Sequence, residues 1–367
     1  MDERTREILC GLATNPALPG PLRALLPAPP AATPSDTTWH DVDPDVARAA
    51  DPTTPSDEVL ALLDHDSALV RWTLAGRPDL PGEIHERLAA DPIPGVRADL
   101  AANPAVVSEP ILRGLANDED ADVRRSVAHN PSVPLDVLTR LADSIRIGPS
   151  LLPRVTAATD DELRLLAASP SARVRVLVAQ RTALPADVFE LLVTDDDSRV
   201  AKGIAPHPAL SADRLWALAE RHGPSLFRRL ATNPHCDPDL LHHMARNATA
   251  RRTYRAVAEH PNTRGETLLL CLGDDVARRW AAAHPNLPAD VLIELVEDPN
   301  LAGCAAANPS LPVEVMERLI AAHRHDGLLC SPMPVVAVVS FEPSENDDVV
   351  AIRARGSVEG TTAGDQP

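Results

Sequence analysis

Large rings are nearly missing from this 367-residue chain: three Phe, four Trp and one Tyr, 2% of all residues. A core without them must be filled by Ala, Leu and Val, which suits closely packed helices. Lysine is also almost absent, Lys202 being the single one, and 35 basic residues face 53 acidic ones for a formal net charge of −18. That balance opposes non-specific binding to nucleic acid or to an anionic membrane. No run of eighteen apolar residues occurs, so no helix able to span a membrane is expected. The opening MDERTREILCGLATNP lacks the apolar centre of a signal peptide, and a cytoplasmic location is the expectation. The five cysteines, Cys10, Cys236, Cys271, Cys304 and Cys330, are widely spaced with no CxxC, which argues against a disulfide framework. Catalytic signatures are missing too: no GxGxxG, no GxxxxGKS/T and no GxSxG, while HERLA at 85–89 lacks the second histidine of HExxH. No enzyme and no cofactor are expected.

What the chain has in quantity is proline, 37 residues, and much of it is periodic. Marks fall at Pro52, Pro78, Pro104, Pro131, Pro208, Pro234, Pro261, Pro285 and Pro309, with Thr156 and Thr182 in the two remaining places, 24–27 residues apart. Three residues before the mark stands alanine: Ala49, Ala75, Ala101, Ala128, Ala179, Ala205, Ala231, Ala258, Ala282 and Ala306. So uniform a column predicts backbones too close for more than a methyl group. Val70, Val96, Val123, Val174 and Val200 stand eight before the mark, and Leu74, Leu100, Val127, Val178 and Leu230 four before it. These positions share one face of a short helix. After the mark comes Leu-Pro-x-Asp/Glu-x-Leu-x-x-Leu, as in VPLDVLTRLA at 133–142. Proline is expected at the first helical position, where its missing N–H costs nothing. The acids Asp57, Glu83, Asp136, Asp187, Asp213, Asp239, Glu266, Asp290 and Glu314 then face the positive helix end.

Each period therefore predicts two short helices and two tight turns, shorter than a HEAT or armadillo unit. The recurring A-x-N/H-P-x-L-P-x-D-x-L-x-x-L and Val-Arg motifs, over about 46–325, resemble the leucine-rich repeat variant (LRV) family of bacterial HEAT-like helical repeats. That resemblance implies an all-α fold, a right-handed α-solenoid of about eleven two-helix repeats. A founding member of the family carries an iron–sulfur cluster on an N-terminal group of cysteines. Here only Cys10 lies in that region, so a cluster is not carried over.

Three segments are expected: a degenerate N-terminal cap and proline-rich linker over 1–45, the array over 46–325, and a tail over 326–367. In the tail, β-branched runs around a polar turn at 334–356 suggest a β-hairpin, followed by a disordered end.

Arginine follows the valine column at Arg71, Arg97, Arg124 and Arg175, with Arg278 in the same place. Stacked periods would align them, either as a ladder of pairs with turn aspartates (Asp66, Asp91, Asp118–Asp122) or as a reader of phosphates and acidic peptides. The ladder is the stronger expectation. Asn103, Asn130, His207, Asn233, His260, His284 and Asn308 precede the mark, and each can bond its own backbone two residues on. Repeats stacked about 8–10 Å apart would keep the histidines too far apart to share a zinc ion. His235, Cys236, His242, His243 and His222 match no zinc module, His323, His325 and Cys330 lack a partner set, and NDEDAD (117–122) and TDDDSR (194–199) read as helix caps.

The leading functional expectation is a non-enzymatic scaffold whose curved face grips a protein or peptide. Nucleic-acid binding through the arginine column is the second, opposed by the net charge. A metal or iron–sulfur redox protein is the third and rests on family analogy alone.

Overall fold

A computed structural model describes residues 3–26, 43–148 and 150–323, all of which lie in or between short helices. The helices are α1 (Glu3–Thr14), α2 (Gly20–Arg23), α3 (Pro44–Ala50), α4 (Ser56–Leu63), α5 (Ala68–Ala75), α6 (Gly82–Ala89), α7 (Pro94–Ala102) and α8 (Glu109–Leu115). Next come α9 (Ala121–Ala128), α10 (Leu135–Ser144), α11 (Pro153–Thr156), α12 (Asp160–Ala167), α13 (Ala172–Ala179), α14 (Ala186–Val193), α15 (Ser198–Ile204) and α16 (Ala212–His222). The last are α17 (Pro224–Leu230), α18 (Pro238–Arg246), α19 (Arg251–Glu259), α20 (Gly265–Leu272), α21 (Arg278–Ala283), α22 (Ala289–Leu295), α23 (Ala302–Ala307) and α24 (Val313–His323). The described chain is all-helical, with no strand among the described residues. The hairpin suggested over 334–356 and the rest of the tail from 326 lie outside the described residues.

The joints work by local chemistry. Proline stands at the N-cap of α4, α6, α10, α14 and α22, with ψ between 140° and 159°. This is one position earlier than expected. The extended ψ keeps proline half outside the helix, where its missing N–H is again harmless. The predicted acid occupies the first turn of each of these helices. At α9 and α12 the cap is a side chain: Asp120 accepts from the Asp122 and Val123 amides, and Thr159 with Glu162 forms a reciprocal capping box.

The second helices of successive periods pack on one another in chain order, α3 on α5, α5 on α7 and α7 on α9, then α13 on α15 and onward to α23. On the other side, first helices meet in pairs such as α4 with α6, α12 with α14 and α18 with α20. The alanine column lies in this seam. Ala75, Ala101, Ala128, Ala205, Ala282 and Ala306 are wholly buried, and Ala231 and Ala258 nearly so. Leu, Val and Ala fill the rest of the core, where Phe227 is the largest fully buried side chain.

Two features depart from simple repetition. At α11 the second helix shrinks to four residues, and α10 packs directly on α13. Residues 3–14, which sequence order suggests as a cap before the first period, instead pack as α1 against α23 and α24. Gly11 makes that contact: a Cβ there would stand 2.2 Å from the Gly303 carbonyl oxygen.

Candidate functional site

Three ladders of polar contacts join one period to the next, and each begins from a residue type that the period repeats. The first is built on the residue before the mark. Asn103 accepts the Ala105 amide on its Oδ1 at 3.0 Å, the local turn bond that the sequence implies. Its Nδ2 meanwhile donates to the Ala75 and Arg77 carbonyls of the preceding period, both at 2.8 Å. Asn130, Asn233 and Asn308 repeat this arrangement. His260 and His284 do the same with a ring: Nδ1 accepts the amide two residues on, and Nε2 donates to the carbonyl of Asn233 and of His260. Both imidazoles sit below their ordinary pKa because burial penalises the charged ring. His207 keeps the turn bond to Ala209, but its buried Nε2 faces the Thr182 backbone without a well-formed hydrogen bond. Arg77 and Arg181 hold the same position and reach back with a guanidinium, Arg77 to the Ala49 carbonyl and Arg181 to those of Val155 and Ala158.

The second ladder is the arginine column. Arg71 clasps Asp91 through Nε (2.6 Å) and Nη2 (3.3 Å), Arg97 clasps Asp118 (2.7 and 2.8 Å), and Arg175 clasps Asp195 (2.6 and 3.1 Å). In each case Nη1 donates to a carbonyl of the arginine's own turn: His65, Asp91 and Ser169. The aspartate's Oδ1 also accepts an amide two residues on, so one carboxylate shapes its turn and locks the neighbour. The acid thus comes from the following period, while the preceding turn contributes only carbonyls. The bonds to Asp91, Asp118 and Asp195 raise the three guanidinium pKa values, and the bond from Arg97 lowers that of Asp118. Arg97 and Asp118 are about nine-tenths buried. Arg124 and Arg278 differ. Arg124 donates Nη1 to the carbonyls of Asp118 and Glu119, and Arg278 lies 3.9 Å from Asp275 of its own turn.

The third ladder was not evident from the motifs. Arg87 pairs with Asp64, Arg113 with Asp136, Arg164 with Asp187, Arg214 with Glu190 and Arg264 with Asp239, all across periods on exposed first helices. For Arg113–Asp136 and Arg164–Asp187 the signal available was an arginine in the last turn of one first helix and an acid in the first turn of the next.

Open grooves run beside the second ladder. One of about 630 Å³ is lined by Arg175, Leu191 and Asp195–Asp197, and another of about 370 Å³ by Asp91, Arg97, Asp118 and Glu119. Among the described residues, no group of three or more His, Cys, Asp or Glu is placed to hold a metal ion. His242 bonds Thr267, His243 packs between the rings of Trp216 and Phe227, and Cys236 is buried, with burial pushing its thiol up to about 12. Cys10, Cys236, Cys271 and Cys304 are free. No described helix is long and apolar enough to cross a membrane. The chain matches no family model and no curated protein.

Proposed function

We propose that this chain is a non-enzymatic, right-handed α-solenoid of about eleven two-helix repeats, similar to the LRV family, that binds a protein or peptide along its curved face. The observation that carries this reading is the succession of inter-period ladders, which align grooves rather than enclose a cleft. A surface built by stacking equal units is long and repeated, and suits an extended macromolecular partner. Its cytoplasmic setting belongs to the same proposal.

The nucleic-acid alternative is disfavoured by the way the column is used. Three of its guanidiniums, on Arg71, Arg97 and Arg175, are neutralised by bidentate aspartates, and the molecule as a whole carries −18. The test is affinity capture from lysate by the full chain, followed by hydroxyl-radical footprinting of the captured complex. Protection of the grooves beside Arg97 and Arg175 by a protein is the expected result. Tight, salt-dependent retention on heparin with recovery of nucleic acid would reverse the reading.

A further inference from the structure

One rung of the second ladder lacks its acid. Arg124 is anchored as its sisters are: Nη1 meets the carbonyls of Asp118 (2.5 Å) and Glu119 (2.9 Å). Arg71 meets those of His65 (2.6 Å) and Asp66 (3.3 Å), and Arg175 those of Ser169 (2.9 Å) and Pro170 (3.1 Å). The shared anchor turns the Nε–Nη2 edge toward the following period, where Asp91, Asp118 and Asp195 receive the other three. At Arg124 that edge has no carboxylate partner among the described residues.

The cause is a local change in sequence. Eleven residues after Leu80 and Leu184 come Asp91 and Asp195, whereas eleven after Val133 comes Ser144. Ser144 is still inside α10, with its hydroxyl turned back on the Arg140 and Leu141 carbonyls. Residues 145–148 then leave the helix beside α9, held by Arg125 Nε to the Arg146 carbonyl at 3.4 Å. The carboxylates nearby are engaged. Asp118 gives both oxygens to Arg97, and Asp143 takes the Ser171 hydroxyl. Arg146, exposed on this irregular stretch, adds a second positive charge.

We propose that the Arg124 vacancy is a binding site for the side-chain carboxylate of an acidic residue in a partner peptide, seated where the neighbouring periods seat their own aspartate. The inference rests on the scaffold reading and specifies what its partner must carry. A guanidinium fork with Nε and Nη2 free matches one carboxylate in a bidentate pair. A phosphate dianion would meet Glu119, Asp120 and Asp122 in a molecule of net charge −18, so a monoanion within a neutral or basic peptide is the better complement.

The test follows the arginine Nε–H resonances of the full-length protein during titration with acetate at constant ionic strength. The Arg124 resonance should move and saturate with a midpoint on the order of 10 mM, while those of Arg71, Arg97 and Arg175 stay in place. Acetyl-Gly-Asp-Gly-amide should reproduce the movement and its Asn analogue should not, and Arg124→Gln should abolish it without loss of folding. An Arg124 resonance indifferent to acetate overturns the proposal. So does inorganic phosphate binding more than about tenfold tighter than acetate. Capture of the same proteins by wild type and Arg124→Gln also overturns it but leaves the scaffold reading intact. Acetate binding with no protein captured by wild type sinks the scaffold reading, and with it the assignment of a peptide partner.

Discussion

The Asn15 amide donates to the carbonyls of Ala306 and Asn308, at 2.9 and 2.7 Å, from the opposite end of the chain. These are the bonds that Asn308 itself makes to Ala282 and His284. Asn15 therefore stands one rung beyond Asn308, and α1 (from Glu3) pairs with α24 (from Val313) as the second helix of a terminal unit whose first helix lies at the far end of the described sequence. The 16 residues between Leu26 and Asp43 can reach at most about 60 Å, which bounds the separation between this unit and α3.

This placement predicts that Gly11 is intolerant of any side chain. A Cβ at 2.2 Å from the Gly303 carbonyl oxygen meets backbone rather than a movable side chain, so the helices must separate. Gly11→Leu should raise amide exchange in 3–14 and 302–307 by orders of magnitude while α5–α9 keep their protection. Unchanged exchange in α1 would show that α1 does not depend on this seat.

The docking of α1 was only partly legible in sequence. Asn15-Pro16 and Leu18-Pro19 carry the joint motif, but sequence order suggests the wrong end of the array. The local bond of each Asn column residue could be read from its own turn. Its reach to the preceding period could not, because that depends on how turns stack. For the same reason Arg77 and Arg181 went unrecognised as members of that column. At α11 the interval held while the helix did not: Pro153 cannot lie inside a longer helix, so α11 begins there and ends at Thr156.

The asparagine rungs should contribute more than any surface pair. Asn130→Ala strips the donor from the Ala101, Asn103 and Val106 carbonyls and the acceptor from the Ser132 amide, all in a buried seam. A loss of about 2–3 kcal/mol is expected for leaving such groups unsatisfied, read by urea unfolding. His260→Asn should cost much less, since either side chain supplies both bonds. Equal losses in the two variants would show that the rung geometry is not what the column preserves.

The two arginine ladders should separate cleanly by burial. Arg97→Gln leaves Asp118 unpaired, and about 2–4 kcal/mol is expected, somewhat under the cost of breaking a fully buried pair because an open groove adjoins it. Arg164→Gln removes an exposed, solvent-screened pair with Asp187 and should leave the melting midpoint nearly unchanged. In the alanine seam, Ala128→Leu and Ala205→Leu should each cost about 1–3 kcal/mol by overpacking. Thermal melts of the four variants give this ranking, and an Arg97→Gln melt equal to that of Arg164→Gln would remove the ladder's structural role.

Acid should loosen the second half of the chain before the first. The folded pKa values of His207, His260 and His284 lie below the ordinary 6.5, with burial the leading cause. In the unfolded chain these rings bind protons at a higher pH than in the folded one. Stability from the neutral rings is therefore fully present above about pH 6.5 and falls as pH drops through that value toward the folded pKa. A proton on Nδ1 would also cancel the acceptor of the Asn262 and Asn286 amides. The first half uses Asn103 and Asn130 at these rungs, which do not titrate. Asp118, held low by Arg97, gives up its charge only below the ordinary Asp value of 3.8. Amide exchange at pH 5.5 against pH 7.5, corrected for intrinsic rates, should show α19–α23 losing more protection than α5–α9, where His85 in α6 is the one ring lowered by burial. The double variant His260→Asn, His284→Asn should flatten that difference. A first half that loosens equally at pH 5.5 would place the acid sensitivity elsewhere than in these rings.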